Sequence, residues 1–290
     1  MADTVGMQDI RGININKAVT GFALASYVFK DRLCSVQSSS NWQERYYKET
    51  AADLTGGTGN AVEGVPRLAA FPNMDVSWTL VQSYHKKFGA ETTISYEDIL
   101  SNAIDTIVRS TLRIGRAVAK AVDAEVWDVV TDGRSTVNIN SVTIAAGSEW
   151  DSLTIANQNP IQNILNAKKE IAEDNYDPEG AYLCLNPKDY ANLLGNANVR
   201  NAGQFYSPDV TQRGQVGTIC GLKILVSNSV TADYAAVVVA PDAATWLELA
   251  PLQTQMITNE GISKTIRSWE IGVCQLKNPL AVCLIVNTAV

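Results

Sequence analysis

The chain contains a single histidine, His85, and this limits the acid–base and metal chemistry that its side chains can perform. A zinc site of the usual kind needs several histidine or cysteine ligands, and a Ser-His or Cys-His mechanism would have to use this one residue. The sequence also lacks a GxSxG elbow and a Walker loop. We therefore predict no enzyme activity, metal or cofactor. Because His85 is followed by Lys86 and Lys87, we expect it to be a surface or interface residue.

The cysteines are five in number, never stand at CxxC spacing and mostly lie in apolar stretches: Cys34, Cys184, Cys220, Cys274 and Cys283. This pattern favours buried free thiols in a reducing compartment over disulfides or a nucleophile. The apolar run at residues 18–29 is too short to span a membrane and follows acidic residues rather than a basic leader. We expect a soluble protein made in a cytoplasm, with no membrane partner.

Charged residues make up only 18% of the 290 residues, against about 25% in an average globular protein. Because the cores of protein interfaces are depleted of charge, this shortage indicates that much of the surface is buried against partners. The formal net charge of −7 argues against a protein that grips nucleic acid with its whole surface.

One local charge pattern stands out, because four basic residues recur at steps of four, three and four: Arg109, Arg113, Arg116 and Lys120. On a helix this spacing places all four on one face. We call this set the basic stripe. From the residues alone three interpretations stay open, namely a solvated face, docking against an acidic hairpin or a neighbouring subunit, and contact with a nucleic acid.

The elements around the basic stripe follow from local patterns. Ser95 and Asp98 form a candidate capping box, and apolar residues at helical spacing continue from there to Asp132-Gly133. This predicts one helix over residues 96–132, about 54 Å long. Before it, β-like stretches at 42–48 and 76–84 flank Gly57-Thr58-Gly59 and predict a long hairpin with a flexible middle. A dinucleotide fingerprint is disfavoured there, because Val62 holds the place of the third glycine.

The remaining segments indicate an arm and a mixed α/β region. Residues 1–40 are predicted to be an arm with a helix over 17–33 that lies on something else. After the long helix we predict strands at 136–144, 181–185, 222–226 and 235–240, helices from Pro160 to Asp174 and from Pro187 with Asn186 as its cap, and extended C-terminal runs at 254–258, 265–274 and 281–286. Residues 192–217 are predicted to be an exposed loop.

The order of these parts resembles the major capsid protein of tailed phages and related archaeal viruses, which has the Hong Kong 97-type fold. The motifs that carry the resemblance are Asn41-Trp42-Gln43-Glu44 and Asp75-Val76-Ser77-Trp78 in the hairpin, Ile94-Ser95-Tyr96-Glu97-Asp98 at the helix entry, Leu185-Asn186-Pro187-Lys188-Asp189 at a strand-to-helix joint, and Gly221-Leu222-Lys223-Ile224 at a central strand. The resemblance covers residues 41–290 and implies an α+β fold. It divides the chain into an N-terminal arm (1–40), an extended hairpin or E-loop (41–95), a peripheral domain with the spine helix (96–160), an axial domain (161–250) and returning C-terminal strands (251–290).

The function that the resemblance implies is that of a virion capsid protein assembled in the host cytoplasm. Copies would form hexamers and pentamers that close an icosahedral shell around double-stranded DNA, without sequence-specific binding. The expected partners are the chain itself, a portal, a separate scaffolding protein, since about a hundred scaffolding residues do not fit before the hairpin, and decoration proteins. Leu80 holds the place of the cross-linking lysine of some relatives, so covalent cross-linking is not carried over. The alternative is an encapsulin-type nanocompartment, with Phe22, Leu24 and Phe29 lining a cargo groove.

Two sets of contact residues follow. The hairpin acids, Glu44, Glu49, Asp53 and Glu63, are expected to form inter-subunit ion pairs with the basic stripe, chiefly with Arg113 and Arg116. The position of a small polar segment in the family places the second set at the capsomer axis: Asn196, Asn198, Asn201 and Gln204. Small uncharged side chains suit a crowded axis, where like charges would repel each other.

Overall fold

The computed structural model describes residues 27–49, 67–68, 78–100, 104–196, 199 and 218–289, without the side chains of residues 49, 78, 104–108 and 155. The α-helices in these ranges are α1 (Lys30–Leu33), α2 (Tyr96–Leu100), α3 (Ile104–Val130), α4 (Pro160–Glu173) and α5 (Pro187–Gly195). The strands are β1 (Cys34–Ser38), β2 (Gln43–Glu49), β3 (Trp78–Tyr84), β4 (Lys86–Ser95), β5 (Asn140–Thr143), β6 (Tyr182–Leu185), β7 (Thr218–Ile219), β8 (Leu222–Val226), β9 (Tyr234–Val238), β10 (Ala244–Asn259), β11 (Ser263–Leu276) and β12 (Val282–Val286).

A six-stranded mixed sheet forms one half of the core, in the order β5-β12-β9-β6-β8-β7. Its central strands are short apolar runs, and Leu183, Val237 and Leu284 are fully buried. Helix α4 packs against β5, β9 and β12 with its apolar stripe, which includes Ile164 and Ile171. The predicted strand at 222–226 and the helix that starts at Pro160 are confirmed, because continuous apolar runs and helical spacing are strong local signals.

A four-stranded sheet carries the long helix, in the order β1-β10-β11-β4. Strands β10 and β11 are much longer than the predicted runs and form one antiparallel hairpin with a bulged register near Ala250. Gly272 of β11 lies under the indole of Trp246, where an added Cβ would clash with ring carbon Cζ2. A glycine is therefore required for the two strands to pack around that tryptophan.

Within the predicted long helix, the described residues form α2 and α3, and residues 101–103 lie outside the described residues. Helix α3 has 27 residues and is about 40 Å long. The predicted core positions Val118, Val122 and Val126 are buried, and this face packs on β4 and β11. The backbone N–H of Asp98 donates to Ser95 Oγ at 3.1 Å, which confirms the serine half of the capping box.

The last part of the predicted arm packs within its own subunit. Phe29, Leu33 and Cys34 lie in the core, and β1 pairs in parallel with β10. Of the helix predicted over residues 17–33, the described residues contain only α1, and residues 1–26 lie outside the description. Sequence reasoning gave no strand at β1, because its polar residues face outward from the edge of a sheet that forms only with the C-terminal strands.

The predicted hairpin is present as an antiparallel ribbon in which β2 pairs with β3 from Gln43↔Tyr84 to Glu49↔Trp78. Its glycine-rich middle lies outside the described residues. The following strand, β4, pairs with β11 in the four-stranded sheet. At the other predicted turn, Asn186 Oδ1 accepts the backbone N–H of Lys188 at 3.0 Å, which confirms Asn186 as the cap of α5.

Candidate subunit interface

The basic stripe lies on the exposed face of α3, and all four of its side chains are exposed. The opposite face of the helix packs on β4 and β11, so the stripe points away from the core. Among the described residues, none of the four basic side chains forms an ion pair. The predicted spacing is thus confirmed, and the stripe presents about 16 Å of positive charge without a described counter-charge in its own subunit.

Glu44 is the one hairpin acid whose side chain lies among the described residues, and it does not pair with the basic stripe of its own chain. Glu44 accepts a hydrogen bond from the Ser39 hydroxyl and lies 4.0 Å from His85 Nε2. The side chain of Glu49, and the whole of Asp53 and Glu63, lie outside the described residues. The pairing of the stripe with the hairpin acids of a neighbouring subunit therefore stays a prediction.

The ribbon of β2 and β3 is anchored to its own subunit at two points. The Lys48 ammonium lies 3.7 Å from Asp132 Oδ1, just beyond the C-terminal end of α3. The Gln275 amide of β11 donates to Ser83 Oγ at 3.1 Å. One contact joins β2 to the C-terminal end of the long helix, and the other joins β3 to a strand of the four-stranded sheet.

His85 is not the surface or interface residue that the sequence predicted. Its side chain is completely buried between β3 and β4, and neither ring nitrogen has a hydrogen-bond partner among the described residues. Burial lowers the pKa of His85, and the charge of Glu44 opposes this effect. The neighbouring lysines suggested exposure, but His85 lies where the ribbon enters the body, a position that only the strand pairing defines.

The predicted capsomer-axis segment is only partly described. Asn196 is buried, and its side-chain amide donates to Gln158 Oε1 at 3.2 Å. Asn198, Asn201 and Gln204 lie outside the described residues. Residues 192–195 belong to helix α5, so the exposed loop predicted from residue 192 does not begin there. Asn196 thus takes part in packing within its own subunit.

Sequence reasoning missed a buried ionic cluster between α1 and the four-stranded sheet. Lys30 Nζ lies 2.5 Å from Glu270 Oε1 and 3.0 Å from Glu248 Oε1. The Tyr27 hydroxyl donates to Glu270 Oε2 at 2.5 Å. Burial alone would lower the pKa of Lys30, but the two carboxylates raise it above the usual value. A signal was present in β11, where Glu270 interrupts an apolar run.

Asp123 of α3 completes this region from the helix side. Its carboxylate accepts the backbone N–H groups of Val28, Phe29 and Lys30 at 2.7, 3.1 and 3.2 Å. Burial raises the pKa of Asp123, and these three hydrogen bonds oppose the shift. The Asp123 side chain of α3 therefore caps the first turn of α1. It also holds the backbone of residues 28–30 in place against α3.

The cysteines are free thiols, as predicted, and four of the five are buried. Burial raises the pKa of Cys283 to about 12, so this thiol stays protonated at neutral pH. Across the described ranges, no group of three or more His, Cys, Asp or Glu side chains is placed to hold a metal ion. None of the helices described is long and apolar enough to cross a membrane.

An open groove of about 330 Å³ lies on the outer face of strands β4 and β11. Its polar side chains are already engaged, since Arg267 pairs with Glu91 at 2.7 Å and the Ser268 and Thr254 hydroxyls share a hydrogen bond. Trp269 and Gly89 lie side by side at its floor. The groove offers a contact surface and no nucleophile–base pair.

Comparison with solved structures shows the same fold at low sequence identity. A virus-like particle from Pyrococcus furiosus is 15% identical, with 94% of this chain and 98% of that chain covered and a TM-score of 0.64. The capsid of cyanophage P-SCSP1u is 14% identical, with 88% and 86% covered and a TM-score of 0.66. A protein of Mycobacterium phage Che8 is 17% identical, with 87% and 86% covered and a TM-score of 0.64.

Sequence comparison gives the family. No curated protein sequence matches the chain. The model of a family described as phage capsid protein matches residues 81–285, which run from the returning hairpin strand through both sheets to the last strand. The fold is the Hong Kong 97-type capsid fold that the order of elements predicted. Because the family model matches most of the chain and the fold agrees, the chain belongs to the phage capsid protein family.

Proposed function

We propose that this chain is the major capsid protein of a tailed phage or related virus, and that it self-assembles into hexamers and pentamers. These would close an icosahedral shell around packaged double-stranded DNA in the host cytoplasm. The observation that carries the proposal is the exposed basic stripe on α3, which has no described counter-charge in its own subunit. A basic face of this kind can pair with an acidic surface of a neighbouring copy, and in a symmetric shell that contact is repeated in every copy.

We assign a role to each segment of the chain by its position in the family fold. The peripheral domain (96–160), the axial domain (161–250) and the C-terminal strands (251–290) would form the body, together with β1 from the arm (1–40) and β4 from the E-loop (41–95). The rest of the arm and of the E-loop would reach neighbouring subunits. Asn198, Asn201 and Gln204 would meet around the capsomer axis, with Asn196 holding the start of the segment through Gln158. Portal, separate scaffolding and decoration proteins would complete the particle.

Electron microscopy of the purified chain tests assembly directly. Negatively stained preparations should show regular shells or capsomers with five- and six-fold views. A protein that stays monomeric at every concentration and salt tested, also with scaffolding and portal proteins supplied, would contradict the proposal. Shell contents separate the two capsid-like functions, because packaged DNA indicates a virus and enclosed enzymes indicate an encapsulin-type compartment. Phe29, one of three residues suggested for a cargo groove, is buried in the core of its own subunit.

The stripe is tested by charge reversal. Arg113→Glu with Arg116→Glu should leave the subunit folded but block shell formation, and a Glu-to-Lys change in the hairpin should restore part of it. The matched control is Lys169→Glu with Lys223→Glu, which makes the same charge change on exposed side chains away from α3. If the stripe variant assembles normally but packages DNA poorly, the stripe faces the genome instead of a neighbouring hairpin.

A further inference from the structure

The point where the hairpin enters the body has the geometry of a hinge. His85 is the single residue between β3 and β4, which belong to two different sheets. Its backbone N–H donates to the Trp42 carbonyl at 3.2 Å. The segment that enters the hairpin and the segment that leaves it are therefore joined at His85. We call residues 39–44 and 83–86 the hairpin root. Any change in the volume or charge of the His85 site acts on both strands of the ribbon at once.

The His85 ring is buried, and its side chain has no exposed surface. In the part of the chain that the structure describes, neither ring nitrogen has a hydrogen-bond partner. The indole of Trp42 lies next to it, with ring centroids 6.5 Å apart. A neutral imidazole is tolerated in such a site at a modest free-energy cost, but an imidazolium would lose the hydration that stabilises its charge.

The charged groups around the ring offer one weak counter-charge. Glu44 of β2 lies 4.0 Å from Nε2 and is held by the Ser39 hydroxyl. From β4, Lys86 directs its ammonium to Glu125 of α3, at 2.5 Å. From β11, the root is contacted by the neutral amide of Gln275. Among the described residues, Glu44 is thus the charge that faces the imidazole, and it stands beyond hydrogen-bond distance.

We propose that the hairpin root is an acid-labile latch, which the neutral His85 side chain keeps closed and which opens when the ring takes up a proton from solvent. The proton adds to a ring nitrogen, and the resulting imidazolium is stable only where water reaches it. The latch goes beyond the proposed capsid function, because it is a property of a single subunit. It makes the orientation of the hairpin relative to the body dependent on pH.

The sign and size of the effect follow from linkage. Burial lowers the pKa of His85 in the closed state, whereas an exposed histidine has a pKa near ~6.5. The open root therefore binds more protons than the closed root, and the closed state loses stability as the pH falls through about 6.5. For one such group, the population of the open root rises by at most about tenfold between pH 7.5 and pH 5.5.

Hydrogen exchange of the full-length subunit measures root opening. After correction for intrinsic exchange rates, amides of β2 and β3 should exchange severalfold faster at pH 5.5 than at pH 7.5. Amides of β9, in the six-stranded sheet, serve as the internal reference and should not change. The variant His85→Phe keeps an aromatic ring but cannot titrate, so its exchange should not depend on pH. An equal pH response in His85→Phe would overturn the proposal.

Two further measurements keep the proposal falsifiable if His85→Phe fails to fold. Because the chain has one histidine, the imidazole signal in an NMR pH titration belongs to His85 alone. It should titrate below the ordinary range, and Glu44→Gln should lower its pKa further and steepen the exchange response above pH 5. An ordinary titration near pH 6.5, or a flat exchange profile in the wild type, would overturn the latch. Neither readout requires a shell, so such a failure leaves the capsid function untouched.

Discussion

Helix α3 separates two groups of charged residues that differ in burial and in pairing. On its inner side, Asp123 caps α1, and Lys30 is paired with Glu248 and Glu270 in the core. On its outer side, the basic stripe is exposed and has no described counter-charge in the subunit. The inner charges are committed to the fold of one chain, because a buried ion is stable only with its partners present. The outer charges remain available to another molecule.

We expect the greatest loss in the free energy of unfolding when Lys30 is removed from the inner group. Lys30→Met removes the cation and leaves the fully buried Glu270 without its counter-charge. We expect the free energy of unfolding to fall by about 3–5 kcal/mol, measured by urea denaturation. The triple variant Lys30→Met, Glu248→Gln, Glu270→Gln removes all three charges and should recover most of the loss. A Lys30→Met subunit as stable as the wild type would show that the pairing contributes nothing.

A smaller loss is expected when the cap from α3 is removed. Asp123→Ala leaves the three backbone N–H groups of residues 28–30 without their acceptor. The expected loss in the free energy of unfolding is about 2–3 kcal/mol, because buried donors lose their hydrogen bonds. The control is Asp128→Ala, an exposed acid on the same helix, which should change stability far less. Equal effects of the two substitutions would contradict the capping role.

Asp189 is buried like the inner group, but its carboxylate is poorly hydrogen-bonded. Neither carboxylate oxygen accepts a well-aligned hydrogen bond from the described residues. Burial raises the pKa of Asp189 to about 6, against the opposing effect of the Thr288 hydroxyl. The folded state therefore binds more protons than the unfolded state between about pH 4 and pH 6, so this residue lowers stability as the pH rises through that window.

Asp189→Asn removes the charge and should raise the free energy of unfolding at pH 7 by about 1–2 kcal/mol, with the gain vanishing near pH 4. Urea denaturation at both pH values checks this. The control is Asp151→Asn, a neighbouring acid that lies near Lys188 on the surface. An Asp189→Asn variant that is less stable at pH 7 would mean that the carboxylate is better satisfied than its geometry indicates.

The smallest effect on the subunit is expected for the outer group. Reversing Arg113 and Arg116 to Glu should change the free energy of unfolding of the unassembled subunit by no more than about 0.5 kcal/mol, since both side chains are exposed. Thermal unfolding of the free subunit, compared with the Lys169→Glu, Lys223→Glu control, measures this. A large destabilisation would place the stripe among the charges that the fold itself requires, and the comparison between the two groups would fail.

Much of the fold could be predicted from the sequence, and the reason is local. Helix α4, strand β8, the cap at Asn186 and the inward face of α3 each follow from spacing or from one side chain next to its own backbone. The stripe could be predicted for the same reason, since helical periodicity alone places its four residues on one face. The order of these elements then indicated the capsid fold.

Which charged side chains are buried in the core follows from the tertiary structure and not from the local sequence. Lys30 is more than 200 residues away in sequence from both Glu248 and Glu270. Nothing in the local sequence of Lys30 distinguishes it from a surface lysine. His85 looked exposed beside two lysines, yet the junction of two sheets buries it. Strand β1 and the full length of β10 and β11 also depend on pairing between distant segments. Burial and pairing are properties of contacts made across the chain, so the periodicity of one segment does not contain them.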